Sequence, residues 1–301
     1  MATAMRVAGG PVWSRWDAIR RNPWLSLVGK LLQLRLARFG LVVLAIFAVL
    51  AVFAPWLSPQ DPIQTHPRDS LERPGSTYWL GADRLGRDQL SRIIWGARVS
   101  LTIGVVGVGI ATLSGITVGM LAGWAGKWAD EVLMRIMDTL AAFPSIVLAL
   151  TLVAITGGAV VNIIIVVGLV YTPAIARVIR SQVLSEKERD YIVAAISTGA
   201  SSRRVIVHHL LPNTLAPVIV QASLGFGAAI LLEASLSFLG VGVKAPTPTW
   251  GGMLRNAFEV VEIAPFLTYV PGFAIFIVVL SFNFVGDALR AALDPRLRRG
   301  R

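Results

Sequence analysis

Cysteine is absent from the 301 residues and only three histidines occur. A disulfide framework, thiolate metal sites and a cysteine nucleophile are therefore excluded. His66, His208 and His209 leave little for a zinc centre, and His208 and His209 are neighbours, about 100° apart on a helix rather than the i, i+4 of a chelating pair. Charge is scarce, at 15% of residues, where an ordinary soluble domain carries about 25%. Acids are scarcer still, with 17 Asp and Glu against 28 Lys and Arg, a net charge of +11. A phosphate-binding Gly-x-x-x-x-Gly-Lys-Ser/Thr loop is also missing: Gly29-Lys30 and Gly126-Lys127 have neither the following hydroxyl nor the earlier glycine. What is plentiful is apolar, at 55% of residues, which excludes intrinsic disorder.

The apolar residues are gathered into long runs free of Asp, Glu, Lys and Arg. These are Phe39 to Gln60, Val99 to Gly126, Thr139 to Ala176, Leu210 to Gly240 (interrupted only by Glu233) and Ile263 to Gly286. A bilayer core of about 30 Å takes about 20 helical residues. The run from Thr139 to Ala176 has 38, too many for one crossing, and Gly157-Gly158 near its middle predicts two helices joined by a tight turn. The sequence therefore predicts an all-α membrane protein with six transmembrane helices.

Six crossings return both termini to one face. The first 38 residues carry seven Lys/Arg and one acid, Arg177 to His209 six and three, and the segment after Gly286 five and two. The intervening Ser58–Arg98 and Val241–Glu262 loops are nearly balanced, at six against five and two against two. Positive residues accumulate on the cytoplasmic side, so the termini and the 177–209 loop are expected there. The excess of +11 is thus a topology signal, and no basic soluble domain exists to carry nucleic acid. The chain divides into a leader over 1–38, a first helix and periplasmic loop over 39–98, a core over 99–286 with a cytoplasmic loop at 180–212, and a basic tail over 287–301. Trp13, Trp16 and Trp24 among the arginines of the leader suggest a helix lying along the inner interface.

Gly115, Gly119 and Gly123 recur every four residues and form one smooth helix stripe for close packing. Pro144, Pro173, Pro217 and Pro271 predict kinks. Asp138 is expected to pair with Arg135 three residues earlier, and Glu233 either lines an aqueous path or accepts from nearby hydroxyls. Asp83, Arg84, Arg87 and Asp88 read as salt-bridged surface of an outer lid. Ser185 with Glu188 fits a capping box starting a helix. Gly199 stops that helix, and Ser201 or Ser202 starts a second one that breaks at Pro212. The loop thus exposes small residues (Ala194, Ala195, Gly199, Ala200) beside Arg189, Asp190, Arg203 and Arg204, a surface that a partner's backbone can approach closely.

The spacing Val193-Ala194-Ala195, then Gly199, then His209-Leu210-Leu211-Pro212 resembles the Glu-Ala-Ala loop of ABC importer permeases, with Val193 and His209 departing from its Glu and Ile. Trp79-Leu80-Gly81-Ala82-Asp83-Arg84-Leu85-Gly86-Arg87-Asp88, Ala142-Phe143-Pro144-Ser145, Leu236-Ser237-Phe238-Leu239-Gly240, Pro246-Thr247-Pro248-Thr249-Trp250-Gly251 and Ala292-Leu293-Asp294-Pro295-Arg296 are similar to the dipeptide/oligopeptide/nickel branch of that family, C-type subunit. The resemblance implies a type I ABC importer permease fold with cytoplasmic coupling helices, in the bacterial inner membrane, passing peptides or similar small solutes. It implies a heterodimer with a longer B-type permease, two ATPase subunits holding ATP and Mg, and an extracytoplasmic solute-binding protein. It implies no cofactor, metal or catalytic residue on this chain. The ATPase-coupling residues would be Arg189, Asp190, Tyr191, Ala194, Ala195, Gly199, Ala200, Ser201, Arg203, Arg204 and His208, and Ser145, Glu233 and Ser237 are nominated for the translocation path. A secondary transporter would instead move solute alone, and an intramembrane serine hydrolase would need a His or Lys base that the spans do not offer.

Overall fold

The computed structural model describes residue 29 and residues 31–293, so the predicted interfacial helix around Trp13, Trp16 and Trp24 and the end of the basic tail lie outside the described residues. Helices α1 (Arg35–Val52) and α2 (Ala54–Leu57) form the first crossing. They are followed by α3 (Gln89–Trp124), α4 (Lys127–Ala141), α5 (Ser145–Thr156), α6 (Val160–Glu186), α7 (Asp190–Ser197), α8 (Ser202–Val205), α9 (Leu211–Phe238), α10 (Trp250–Phe258) and α11 (Phe266–Leu293). Among the described residues no strand forms; one isolated antiparallel bridge joins Ala82 and Asp88. Five helices are long and apolar enough to cross a bilayer, and α4 with α5, bent by 90° at their break, make a sixth candidate.

The break falls at Pro144, where a kink was expected, but at 90° it divides the third crossing drawn from Thr139 into two helices. Alone, α5 has 12 residues, about 18 Å at 1.5 Å per residue, too short for the hydrocarbon core. Pro144 disfavours helical geometry at Phe143 and stands as the extended N-cap of α5. The turn at Gly157-Gly158 forms as expected, with Gly157 at φ +88° between α5 and α6.

The second crossing begins ten residues earlier than its charge-free run. Asp88 caps α3, accepting from the Ser91 amide at 2.8 Å and the Ser91 hydroxyl at 2.5 Å. The resulting 36 residues extend about 54 Å, so the boundary drawn at 98/99 falls inside a helix. A charge-free-run criterion stops at Arg98 and cannot see a helix that continues beyond the membrane. The boundary at 286/287 likewise falls inside α11.

Packing of α3 on α6 organises the core. A Cβ placed on Gly115, Gly119 or Gly123 would come 2.7 Å from the Cβ of Ile175, Ile179 or Val183 respectively, so the glycine stripe is a close helix contact. In lipid, where no hydrophobic drive joins helices, contact area of this kind holds them. Pro173, Pro217 and Pro271 lie inside α6, α9 and α11. Outward faces stay apolar, with Leu113, Ile155, Val161 and Phe273 exposed.

Candidate functional site

The polar hairpin between α6 and α9 is built from α7, a bend at Gly199 and α8. Gly199 has φ +84°, the left-handed cap geometry that favours glycine, and Ser201 is the N-cap of α8, without a side-chain cap bond. Two details differ from expectation. Ser185 and Glu188 form no capping box, because α6 runs on to Glu186 and α7 starts at Asp190 behind Arg189. Nor does Pro212 break the second helix. Residues Ile206–Leu210 open into a π turn, with the Leu211 amide bonded to the Ile206 carbonyl, and the chain continues into α9. The wider turn directly before Pro212 accommodates a residue that lacks an amide donor.

One side of the hairpin is anchored. Ile192, Val205 and Leu210 are fully buried against Ile175, Ile179 and Val183 of α6 and Met120 of α3. Tyr191 donates to the Glu186 carboxylate at 2.7 Å, Arg189 pairs with the same carboxylate at 2.9 Å, and Asn213 of α9 donates to the Tyr191 hydroxyl at 3.1 Å. Removal of water from this hydroxyl, and then the Glu186 bond, raise the Tyr191 phenol above its ordinary pKa. Lys187 reaches back to the Gly123 carbonyl at 3.1 Å.

The other side is open. Arg189, Asp190, Tyr191, Ala194, Gly199, Ser201, Arg203, Arg204 and His208 are exposed, and Ala195 and Ala200 half-buried. Ala195, Thr198, Gly199, Ala200, Arg204 and His209 line a shallow cavity of about 270 Å³. Val193 and Ile196, each about half exposed, belong to this face, and sequence reasoning did not nominate them. Their position one turn apart, flanking Ala194 and Ala195, was the signal that could have found them.

At the opposite end of the bundle the loop between the first crossing and α3 is a polar knot. Asp83 accepts from the amides of Leu85 and Arg87 at 2.9 and 3.1 Å and from the Arg87 side chain at 2.7 Å. Arg84 pairs with Glu259. A salt-bridged surface was expected of Asp83, Arg84, Arg87 and Asp88, but Arg84 pairs outside the set, Asp88 bonds Ser91 instead of a base, and Asp83, Arg87 and Asp88 are buried. Tyr78 donates to Asp69 at 2.8 Å, and that bond, more than burial, pushes its phenol up to about 12.

The three path nominees are not brought together. Ser145 is exposed at the start of α5. Glu233 is fully enclosed on α9, where Ser237 donates to it at 2.8 Å. Arg135 pairs with Glu131 at 3.8 Å instead of Asp138, since on this helix the i−4 carboxylate is the one within reach.

A bundle of apolar crossings with a firmly anchored, outwardly polar hairpin at one end defines a multi-pass membrane protein. The comparisons narrow this. Residues 115–299 match the family described as binding-protein-dependent transport system inner membrane component, and residues 22–74 match the N-terminal TM domain of oligopeptide transport permease C. A dipeptide transport system permease protein, DppC, of Alkalihalophilus pseudofirmus is 44% identical over 92% of this chain and 91% of its own length. A glutathione transport system permease protein, GsiD, of Pectobacterium atrosepticum is 42% identical over 94% of each. A di/tripeptide permease of Pseudomonas aeruginosa is 44% identical over 86% of this chain and 88% of its own. The inward-facing MetNI methionine ABC transporter shares the fold, with a TM-score of 0.54 at 19% identity over 67% of this chain and 96% of that one. The chain belongs to the binding-protein-dependent transport system permeases, the inner-membrane components of ABC importers.

Proposed function

We propose that this chain is one half of a heterodimeric permease that imports di- or oligopeptides, or solutes of similar size such as glutathione. Two ATPase subunits carrying ATP and Mg drive it through the 180–212 loop, and an extracytoplasmic solute-binding protein delivers the solute. The leader (1–38), the loop and the tail (287–301) face the cytoplasm. The observation that carries this reading is the two-sided hairpin. Its buried side locks into α3 and α6 through Ile192 and Val205, and its open side presents Val193, Ile196, Ala194 and Gly199. A load applied to the open face is passed to the crossings because α3 and α6 are in backbone-close contact along the glycine stripe. Of the three residues proposed for the path, Ser145 is exposed at the start of α5, while Glu233 and Ser237 are buried and bonded to each other on α9.

The reading is tested with Ile196→Asp, which puts a charge on the exposed face without touching the anchor. Membrane insertion should be normal, while recovery of ATPase subunits on co-purification falls at least tenfold and uptake is lost. Full recovery and full uptake would refute it. A binding titration of candidate peptides on the cognate solute-binding protein identifies the solute.

A further inference from the structure

Beside the polar knot lies a cavity of about 290 Å³, between the 83–92 segment and the corner of α10 and α11. Asp83, Arg84, Arg87, Arg92 and Asn256 are among its lining residues. Its charges do not balance. Glu259 takes Arg84. Arg87 and Arg92, both nine-tenths buried, share the single carboxylate of Asp83, at 2.7 and 3.5 Å. Both Asp83 oxygens are already occupied, Oδ1 by the Leu85 and Arg87 amides and Oδ2 by the Arg87 side chain. Arg92 completes its contacts with a neutral acceptor, the Pro62 carbonyl at 2.8 Å. Asp88 is committed to Ser91 as the cap of α3 and does not line the cavity. One guanidinium charge therefore faces the cavity without a carboxylate of its own, and a buried charge of that kind calls for a counter-ion.

We infer that this cavity binds a carboxylate group. A monoanion matches the single excess charge, and the planar guanidinium fork suits a carboxylate. On the importer reading proposed above, two molecules bring one: a free peptide, through its C-terminus, or the solute-binding protein, through an Asp or Glu side chain. Asn256, half-buried on α10, is the position at which the charge is altered without breaking the Asp83 network.

The assembled importer in lipid nanodiscs is titrated with dialanine and with dialanine amide, which lacks the carboxylate, by saturation-transfer NMR. Binding of the ligand-loaded solute-binding protein is measured in parallel on wild type, Asn256→Asp and Asn256→Gln. If free peptide is the source, dialanine binds, its amide binds at least tenfold more weakly, and Asn256→Asp but not Asn256→Gln weakens dialanine at least tenfold. If the binding protein is the source, dialanine shows no response and Asn256→Asp weakens the binding protein by that factor. Equal binding of dialanine and its amide with an unaffected binding protein overturns the inference, as does an Asn256→Asp chain that behaves as wild type in both arms. Co-purification of ATPase with wild type is scored separately: its absence would refute the importer reading, and the dialanine arm would still decide the cavity.

Discussion

Arg180 of α6 holds Asp130 of α4 with two guanidinium nitrogens, Nε at 2.5 Å and Nη2 at 2.6 Å. The pair ties α4, the first arm of the bent α4–α5 segment, to the helix that carries the hairpin. Without it, α4 would rest on α3 and α6 mainly through Met134, Met137 and their neighbours Ala122 and Ala176.

Asp130→Ala should therefore loosen α4 more than a surface ion pair would suggest. The two side chains are 21% and 35% exposed, so solvent screening reduces the effect below that of a fully buried pair, to roughly 1–3 kcal/mol. Thermal unfolding in detergent should show a midpoint lowered by a few degrees. The exchange Asp130→Arg with Arg180→Asp should recover part of it; no recovery would mean that the pair acts only through geometry.

The glycine stripe makes a contrast within one helix. A Cβ on Gly119 would meet the Ile179 Cβ at 2.7 Å, whereas one on Gly109 meets nothing within 4 Å. Gly119→Ala should cost about 1–3 kcal/mol through overpacking, and Gly109→Ala should be neutral or gain up to about 1 kcal/mol from helix propensity. Equal unfolding midpoints for the two variants would contradict the close α3–α6 contact.

Glu233 is enclosed with one oxygen bonded to Ser237 and Oε2 without a partner. Glu233→Gln keeps the shape and the acceptor, and should stay within about 1 kcal/mol of wild type. Glu233→Ala opens a cavity and strands the hydroxyl, at about 2–4 kcal/mol. If Gln proved as damaging as Ala in thermal unfolding, the group's role would be its charge and not its packing.

Tyr78 offers a pH signature. Its phenol is raised from 10.0 to about 12 by Asp69, so the folded state favours the protonated form. The stabilisation is complete below pH 10 and is lost as the pH rises through 12. An absorbance titration of wild type minus Tyr78→Phe should isolate one phenolate appearing near pH 12, accompanied by faster proteolysis of the 58–88 loop. A difference titration centred at pH 10 would show that the Asp69 bond is absent in solution.

Much of the architecture was legible in the residues alone. Runs without charge announce crossings because an unpaired charge in hydrocarbon is costly, and Gly157 and Gly199 announce turns because their positive φ suits no other residue as well. The same logic misplaced the start of α3, whose first ten residues, Gln89–Arg98, are helical but carry Arg92 and Arg98. Pro144 announced a kink but not its size, since an apolar run has the same composition whether straight or folded by 90°. On the hairpin, small and charged residues were readable from spacing, while Val193 and Ile196 were not nominated, because composition does not tell a half-exposed apolar residue from a buried one.

The sequence by itself determined which segments enter the membrane and where most of them turn, because partition into lipid and backbone freedom are local properties of residue type. Only the tertiary structure decided which acid answers which base. Asp130 meets Arg180 and Glu259 meets Arg84, 50 and 175 positions apart, and Arg87 and Arg92 converge on one carboxylate. Electrostatic pairing depends on distance in space, and chain separation carries no record of it until the helices have packed.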